Sequence, residues 1–441
     1  MTRTRWTALA CLLLSCGFSV LLVFLQERAK PDLMLDFKGV YFDARCLLQH
    51  ADPYKPGEPL RAYLADGIDR PAPAADLRRT LTWYIYLPTA SIFIAPFAML
   101  PLGLAQVLWT ILTAAALVLA GYLMWDLGAN YAPVISAGLI CLVLANTEVL
   151  FATGNPAGVA MGLCLVAIWC FLKEQYVWAG VLCLAVSLAI KPHDTGLVWL
   201  YFLLAGGVYR KRALQTLLAT VALCLPSILW VWHVSPHWIE EWHSNVMTFS
   251  AHGGVTDPGP TLTNSSGLSM MINLQTVISL FRNDPRIYNS VSYLVCGTLL
   301  SVWALVTLRS RTSPRRAWLA LAAISALSML PVYHRLYDAK LLLLAVPACA
   351  ILWAGGGSMR WFALLVTSAG LVFTADIPLT ILRILTDNLH APTAGFLGQI
   401  MTVVLTRPTQ LILLAMGIFY LWIYVRHDPT QCYPGTDNEG R

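Results

Sequence analysis

The apolar run ALACLLLSCGFSVLLVFL, residues 8–25, decides the fold class of this protein. It contains no charged residue, it follows Arg3 and Arg5, and as a helix it nearly matches a bilayer core of about 30 Å. Similar runs recur along the 441 residues, of which 58% are hydrophobic and only 12% charged. An average soluble domain has about 25% charged residues. The sequence therefore predicts an all-α polytopic membrane protein, with residues 8–25 as an uncleaved signal anchor.

Basic residues cluster between the apolar runs, and the positive-inside rule places each cluster in the cytoplasm. The clusters are Arg3 and Arg5, then Lys173, then Arg210, Lys211 and Arg212, then Arg309, Arg311, Arg315 and Arg316, then Arg360, and finally Arg426. Between Arg5 and Lys173 the candidate spans are 7–26, 86–101, 104–125, 132–151 and 157–172. An even number must cross between two cytoplasmic clusters, so one of these runs does not span. The run 86–101 is short and contains three prolines, which predicts a re-entrant or interfacial segment.

The resulting topology predicts about twelve crossings of the plasma (inner) membrane, with both termini on the cytoplasmic side. Residues 1–441 form a single membrane domain, because the connections between spans are modest in size. The larger outer segments are the first outer loop, 27–103, the second outer loop, 234–289, and a third segment, 376–407, while 427–441 form a cytoplasmic tail. The formal charge of +6 is spread over short clusters, not along one stripe, so no nucleic-acid partner is expected.

The first outer loop begins with a candidate catalytic residue. It reads LDFKGVYFD over residues 35–43. Asp36 lies just beyond the first span, where low polarity can tune a carboxylate to act as a base. In a helix that begins at Asp36, Asp43 lies two turns further along the same face, about 10 Å away. Two simpler interpretations remain open: Asp36 caps a juxtamembrane helix, and Asp43 lies on a solvated face.

Lys191 lies in a tight outer turn, AIKPHD over residues 189–194. An ionisable group at membrane depth is costly and by default marks a functional site with a partner. A lysine can receive the phosphate of a lipid carrier as a point charge. The alternatives are a lysine that extends to lipid headgroups, or one that pairs locally with His193 and Asp194.

His334 and Arg335 lie in a second outer turn, PVYHRLYD over residues 331–338. A histidine and an arginine together can bind and neutralise a phosphate leaving group. The alternative for His334 is a hydrogen-bonded histidine in an aromatic belt at the membrane interface.

Other polar features give weaker indications of a functional site. The histidines and glutamates of residues 233–243 suggest zinc, but Pro236 interrupts their spacing, and Trp238 and Trp242 favour an amphipathic helix. We therefore predict no metal site. Asn264 begins an Asn-Ser-Ser glycosylation pattern. The chain has no phosphate-binding loop or glycine-rich nucleotide motif, so no cofactor is expected.

Taken in order, the outer motifs resemble glycosyltransferase family 87, whose members belong to the GT-C superfamily and use polyprenyl-phosphate sugars. The resemblance runs from Asp36 to Leu344. One proline of a Tyr-Pro-Pro stretch is lost, a Gly-Gln-x-Asn turn is partly kept, and Arg335 replaces a tyrosine. The matching residues are Asp36-Phe37, Tyr41, Asp52-Pro53-Tyr54, Tyr86-Leu87-Pro88 through Leu100-Pro101-Leu102, Gly154-Asn155-Pro156-Ala157, Lys191-Pro192 and His334.

The resemblance implies a GT-C-type helical bundle and a mechanism. A lipid or glycan acceptor hydroxyl displaces lipid phosphate from a hexose, with mannose expected, in one inverting step. Asp36 is then the general base, and Lys191 and His334 contact the donor phosphate, beside Arg335. Further candidates for substrate contact are Tyr41, Asp43, Tyr54, Asn155 and Asn264.

Two other functions remain open at this point. A transporter or lipid flippase also has many helices, but it should show paired interrupted helices in its two halves, and none are evident. An inactive scaffold of the same fold is kept open by the altered turn at Asn155 and by Arg335.

Overall fold

The computed structural model describes residues 2–27, 33–67, 75–254, 256–259, 271–310, 313–376, 381 and 395–426. Of these residues 81% are helical, and they form no β-strand. In chain order the α-helices are α1 (Arg3–Glu27), α2 (Leu35–Leu48), α3 (Glu58–Asp66), α4 (Ala75–Thr82), α5 (Ser91–Ala98), α6 (Leu102–Gly128), α7 (Pro133–Ala145), α8 (Glu148–Thr153), α9 (Ala157–Lys173), α10 (Val177–Ile190), α11 (Pro192–Ala205), α12 (Gly207–Val234), α13 (Trp238–Ser250), α14 (Gln275–Phe281), α15 (Pro285–Arg309), α16 (Pro314–Leu327), α17 (Ala345–Ala354), α18 (Met359–Phe373), α19 (Gly395–Thr406) and α20 (Pro408–Arg426). Among the described residues, Pro88–Ala90 and Leu336–Leu344 form 3₁₀ helices.

Seven helical segments of the described chain are long and apolar enough to cross a membrane. They are α1, α6, the broken pair α7–α8, α12, α15, the segment Leu336–Ala354 and α20. Shorter apolar helices include α9, α10 and α18, and α9 coincides with the candidate span 157–172. The prediction of an all-α polytopic membrane protein is confirmed, and the total of about twelve crossings stays a prediction.

The proline-rich segment is too short to span as a helix. Pro88–Ala98 forms one 3₁₀ turn and the short helix α5, roughly 17 Å long in total. Protein groups hold it: Thr89 donates a hydrogen bond to the carbonyl of Ala189, and Ser227 donates to the carbonyl of Pro88. These observations agree with the predicted non-crossing segment.

The first and second predicted outer loops pack against each other. Helix α13 carries Trp242, whose indole donates to the carbonyl of Ile85, and Asn245, whose amide donates to the carbonyls of Tyr54 and Tyr84. The helix expected around Trp238 and Trp242 is therefore present, with both indole rings packed on the core of the first outer loop. This contact fixes the backbone around Tyr86.

The segment Leu336–Leu344 is a 3₁₀ helix of nine residues, all of them buried. Runs of 3₁₀ helix longer than three or four residues are uncommon and often mark a functional position. Here the stretch carries Asp338 and Lys340 into the packed interior, 4% exposed or less. A charged side chain in such a place requires a partner.

Candidate active site

Asp36 lies in the first turn of α2 but does not cap it. The residue before the helix is Met34, with φ 61°, and its side chain makes no capping hydrogen bond. The half-buried Asp36 carboxylate instead accepts a hydrogen bond from Asn155, with 2.7 Å between Oδ2 and Nδ2. Asp36 is therefore not the N-cap residue, although its place in the first turn keeps it near the positive end of the helix dipole. Its carboxylate faces a residue distant in the chain.

The turn Gly154-Asn155 sets the orientation of this amide. Gly154 ends α8 with φ +62°, and a Cβ there would lie 2.8 Å from the Cβ of Phe37, so the turn requires glycine. The amide oxygen of Asn155 accepts from the backbone N–H of Ala157 at 2.9 Å. Its Nδ2 must therefore point the other way, toward Asp36 and, at 3.3 Å, the hydroxyl of Tyr86. Tyr86 is a contact that the sequence patterns did not single out as a site residue.

Arg335 approaches Asp36 from the late segment of the chain. Its backbone N–H donates to Asp338 at 2.7 Å, and a single bridge pairs it with Met271. The guanidinium lies 5.6 Å from the centre of the Tyr333 ring and within electrostatic range of Asp36. The guanidinium also hydrogen-bonds to Tyr333, but within the described part of the chain it forms no salt bridge with a carboxylate and its Nε has no hydrogen-bond partner. Arg335 therefore retains donors for a ligand.

Lys191 connects α10 and α11, where Pro192 begins the second helix. Its Nζ lies 3.1 Å from Asp194 and 2.7 Å from Asp338, and all three residues are buried. Burial lowers the pKa of Lys191, but the carboxylates of Asp194 and Asp338 outweigh it, and the net direction is upward. The local pairing of Lys191 with Asp194 is confirmed. Asp338 was missed, although a carboxylate inside an apolar run is itself a signal of a partner.

His334 and Lys191 contact different carboxylate oxygens of Asp194. Its Nε2 is 3.2 Å from Asp194 Oδ1, and its Nδ1 is 3.1 Å from the carbonyl of Val332. Burial lowers the pKa of His334, the Asp194 carboxylate raises it, and the net direction is upward. The ring of His193 lies 5.4 Å from that of His334, and its Nε2 is also 3.2 Å from Asp194 Oδ1.

Three other candidates for substrate contact are deeply buried. Tyr41 and Tyr54 are 0% exposed, and their hydroxyls donate to the carbonyls of Leu100 and Tyr86. Asp43 was expected on a solvated face, and this is wrong: it is 1% exposed and accepts from Ser91 of α5. Burial raises the pKa of Asp43 to about 8. Asn264 lies outside the described residues.

A carboxylate, an arginine and a paired lysine–histidine cluster thus converge on one region of a helical membrane protein. The model of the family described as glycosyltransferase family 87 matches residues 84–332. This chain belongs to that family. No individual curated protein matches the chain.

The family 87 match places the convergence in a glycosyltransferase. It covers Tyr86, Asn155 and Lys191 but begins after Asp36 and ends just before His334. The two ends of the site therefore join the family region only through the tertiary structure. Asn155 supplies the link to Asp36, and Asp338 and Asp194 connect Lys191 to the late segment.

Proposed function

We propose that this glycosyltransferase moves a hexose, mannose in the first instance, from a polyprenyl-phosphate carrier to a lipid or glycan hydroxyl. The reaction takes place on the outer face of the plasma (inner) membrane. The convergence of Asp36, Arg335 and Lys191 supports this, because an inverting transfer needs one base and cations for a phosphate leaving group. The absence of a nucleotide-binding motif from the sequence favours a lipid-phosphate donor over a nucleotide sugar.

Asp36 is proposed as the general base. Asn155 holds Oδ2, and among the described residues no group hydrogen-bonds to Oδ1, so one oxygen is oriented and the other is available. In the proposed step the acceptor oxygen forms a bond to the anomeric carbon as its proton passes to Asp36. The bond between that carbon and the phosphate oxygen breaks, and the electron pair leaves with polyprenyl phosphate.

Arg335 is proposed as the direct ligand of the leaving phosphate, since its planar guanidinium can bind two phosphate oxygens at once. Lys191 and His334 lie beside the same phosphate in this proposal. The ammonium of Lys191 lies 3.1 Å from Asp194, 2.7 Å from Asp338 and 5.3 Å from the centre of the Tyr337 ring, and it would act on the phosphate as a point charge. His334 is already in contact with Asp194 and acts mainly through its charge.

The first prediction tests the base. Asp36→Asn keeps the shape of the side chain and can accept a hydrogen bond, but it cannot take a proton. We expect the variant to fold and bind donor while turnover falls by roughly 10²–10⁴, the usual effect of losing a general base. The assay uses purified protein, a short-chain polyprenyl-phosphate mannose and a panel of hydroxyl acceptors, with products identified by mass.

The matched control is Asp76→Asn. Asp76 is the second residue of α4, as Asp36 is of α2, and it is exposed. If Asp36 only interacts with the helix dipole, the two variants should lose equally little activity. Near-wild-type turnover in Asp36→Asn would reject it as the base. A protein that transports the lipid but never forms a glycosidic bond would overturn the proposed function.

The second prediction tests Arg335. Arg335→Gln should raise KM for the donor about 10- to 100-fold, because a hydrogen bond to a charged group is typically worth about 1.5–3 kcal/mol. Arg61→Gln is the control, since Arg61 is 67% exposed and, among the described residues, forms its salt bridge with Glu58 on its own helix. Equal donor kinetics in the two variants would remove Arg335 from the phosphate site.

A further inference from the structure

Three potential ligand atoms converge between α11 and the turn before Asp338. They are Nε2 of His193, Oδ1 of Asp194 and Nε2 of His334, and all lie within 4.8 Å of one another. Each imidazole nitrogen is 3.2 Å from Asp194 Oδ1. Ligand atoms bound tetrahedrally at about 2.0–2.1 Å lie roughly 3.3–3.4 Å apart, so two edges of this triangle have nearly the spacing that a zinc ion requires.

The hydrogen-bonding state of His334 points to a cation at Nε2. A backbone carbonyl can only accept, so Nδ1 carries a hydrogen toward Val332. Nε2 faces Asp194 Oδ1 at 3.2 Å, so it either carries a proton that it donates to that oxygen or presents a lone pair that a metal ion can bind. His334 and Asp194 are each 1% exposed, and two enclosed atoms of this kind at 3.2 Å require a cation between them, either a proton or a metal ion. Donation of Nδ1–H to a backbone carbonyl is also the usual arrangement behind a metal-bound histidine.

The site is enclosed on one side and open on the other. The side chain of Asp194 is 0% exposed and that of His334 1%, whereas that of His193 is 45% exposed. When a metal ion takes the place of the His334 proton, both imidazoles are neutral, and Lys191, Asp194 and Asp338 together carry one negative formal charge. A divalent cation would change that charge to one positive, which is the charge that a phosphodiester neutralises.

We propose that His193, Asp194 and His334 bind a divalent transition-metal ion of the Zn²⁺ class, whose open coordination position takes an oxygen of a phosphate ligand. Two imidazoles and one carboxylate form a ligand set that such ions favour, and three protein ligands with an open position are typical of a functional site. This proposal rests on the proposed function for the identity of the phosphate, which is that of the lipid donor. In that case His334 contacts the phosphate through the ion.

The test measures metal binding without any sugar. Purified full-length protein is stripped with a chelator and titrated with Zn²⁺ in competition with a chromophoric chelator. We expect one ion per chain, with affinity at least 10- to 100-fold weaker in His193→Ala. This variant is suitable because its exposed side chain should not be needed for folding. His243→Ala removes an exposed histidine of α13 and should bind zinc like the wild type.

If the wild type does not bind zinc, or if His193→Ala binds it equally well, the metal site is rejected. His334 is then a protonated partner of Asp194. The transfer assay separates this failure from that of the proposed function. Sugar transfer by a metal-free protein rejects the ion and keeps the glycosyltransferase mechanism. Stoichiometric zinc binding without transfer from a lipid-phosphate sugar keeps the ion and rejects the donor.

Discussion

At the scale of single residues, the proposed catalytic carboxylate depends on a glycine. Asp36 is oriented by Asn155, and Asn155 occupies its position because Gly154 adopts φ +62° against Phe37. A side chain at position 154 faces both a strained backbone and a steric clash. The geometry of the base therefore originates in a turn on the far side of the site.

The third prediction follows from this turn. Gly154→Ala should lower stability by about 1–2 kcal/mol for the left-handed backbone alone, with more from the clash, and should reduce activity by displacing Asn155. Gly138→Ala is the control, because Gly138 lies in the interior of α7 with nothing within 4 Å of an added Cβ. It should be neutral or stabilising by up to about 1 kcal/mol. The melting temperatures of the two variants are measured by thermal unfolding in detergent. Equal melting temperatures would contradict a requirement for glycine at position 154.

At the scale of helices, the packing of α2 against α5 encloses a carboxyl group. Asp43 of α2 accepts from Ser91 of α5, and its carboxyl group also interacts with the hydroxyl of Tyr84. Burial raises the pKa of Asp43 from 3.8 to about 8, so the packed pair of helices holds a protonated acid near neutral pH. The same helix thus presents one half-buried carboxylate at its start and one neutral carboxyl group in its packed face.

The fourth prediction is a pH dependence of stability. Between pH 4 and pH 8 the folded protein keeps the Asp43 proton, whereas the unfolded chain releases it. The unfolded state binds fewer protons, so the free energy of unfolding falls as pH rises through this window, by about 1.4 kcal/mol per pH unit. Asp43→Asn removes this contribution, and its melting temperature relative to wild type should rise from pH 5 to pH 8. Asp76→Asn should keep the wild-type slope; parallel curves for all three proteins would contradict the assignment.

At the scale of the whole molecule, the site is assembled from distant parts of the chain. Asp36 follows the first helix, Lys191 joins α10 to α11, and Arg335 precedes the segment Leu336–Leu344. These positions all lie at predicted outer turns, so the membrane topology of the chain decides on which side the site lies. The inverted topology would place the site in the cytoplasm.

The fifth prediction tests that membrane topology. In a background without Cys11 and Cys432, Gln49→Cys should react with an impermeant maleimide in intact cells, because Gln49 is exposed at the end of α2 on the predicted outer side. Ser358→Cys, equally exposed beside the basic residue Arg360, should react only after permeabilisation. Labelling of Ser358→Cys in intact cells would reverse the orientation.

The sequence by itself determined the helical membrane class, because apolar runs such as residues 8–25 have the length of a bilayer and almost no charge. It also predicted the family and the short non-crossing segment 86–101, since the order of the motifs and the positions of the prolines can be identified in the linear sequence. Lys191 and His334 were recognised for the same reason: a charge beside an apolar run is visible in one dimension.

Only the tertiary structure decided which of these residues meet. The contact of Asn155 with Asp36, the placement of Asp338 against Lys191 and the convergence of His193 with His334 all join positions far apart in the chain. The burial of Asp43 was likewise not readable from the sequence, because helix α2 packs on the short helix α5 instead of facing water. Local patterns specify a side chain's chemistry, whereas its partners, and hence its charge state and role, depend on packing between distant elements.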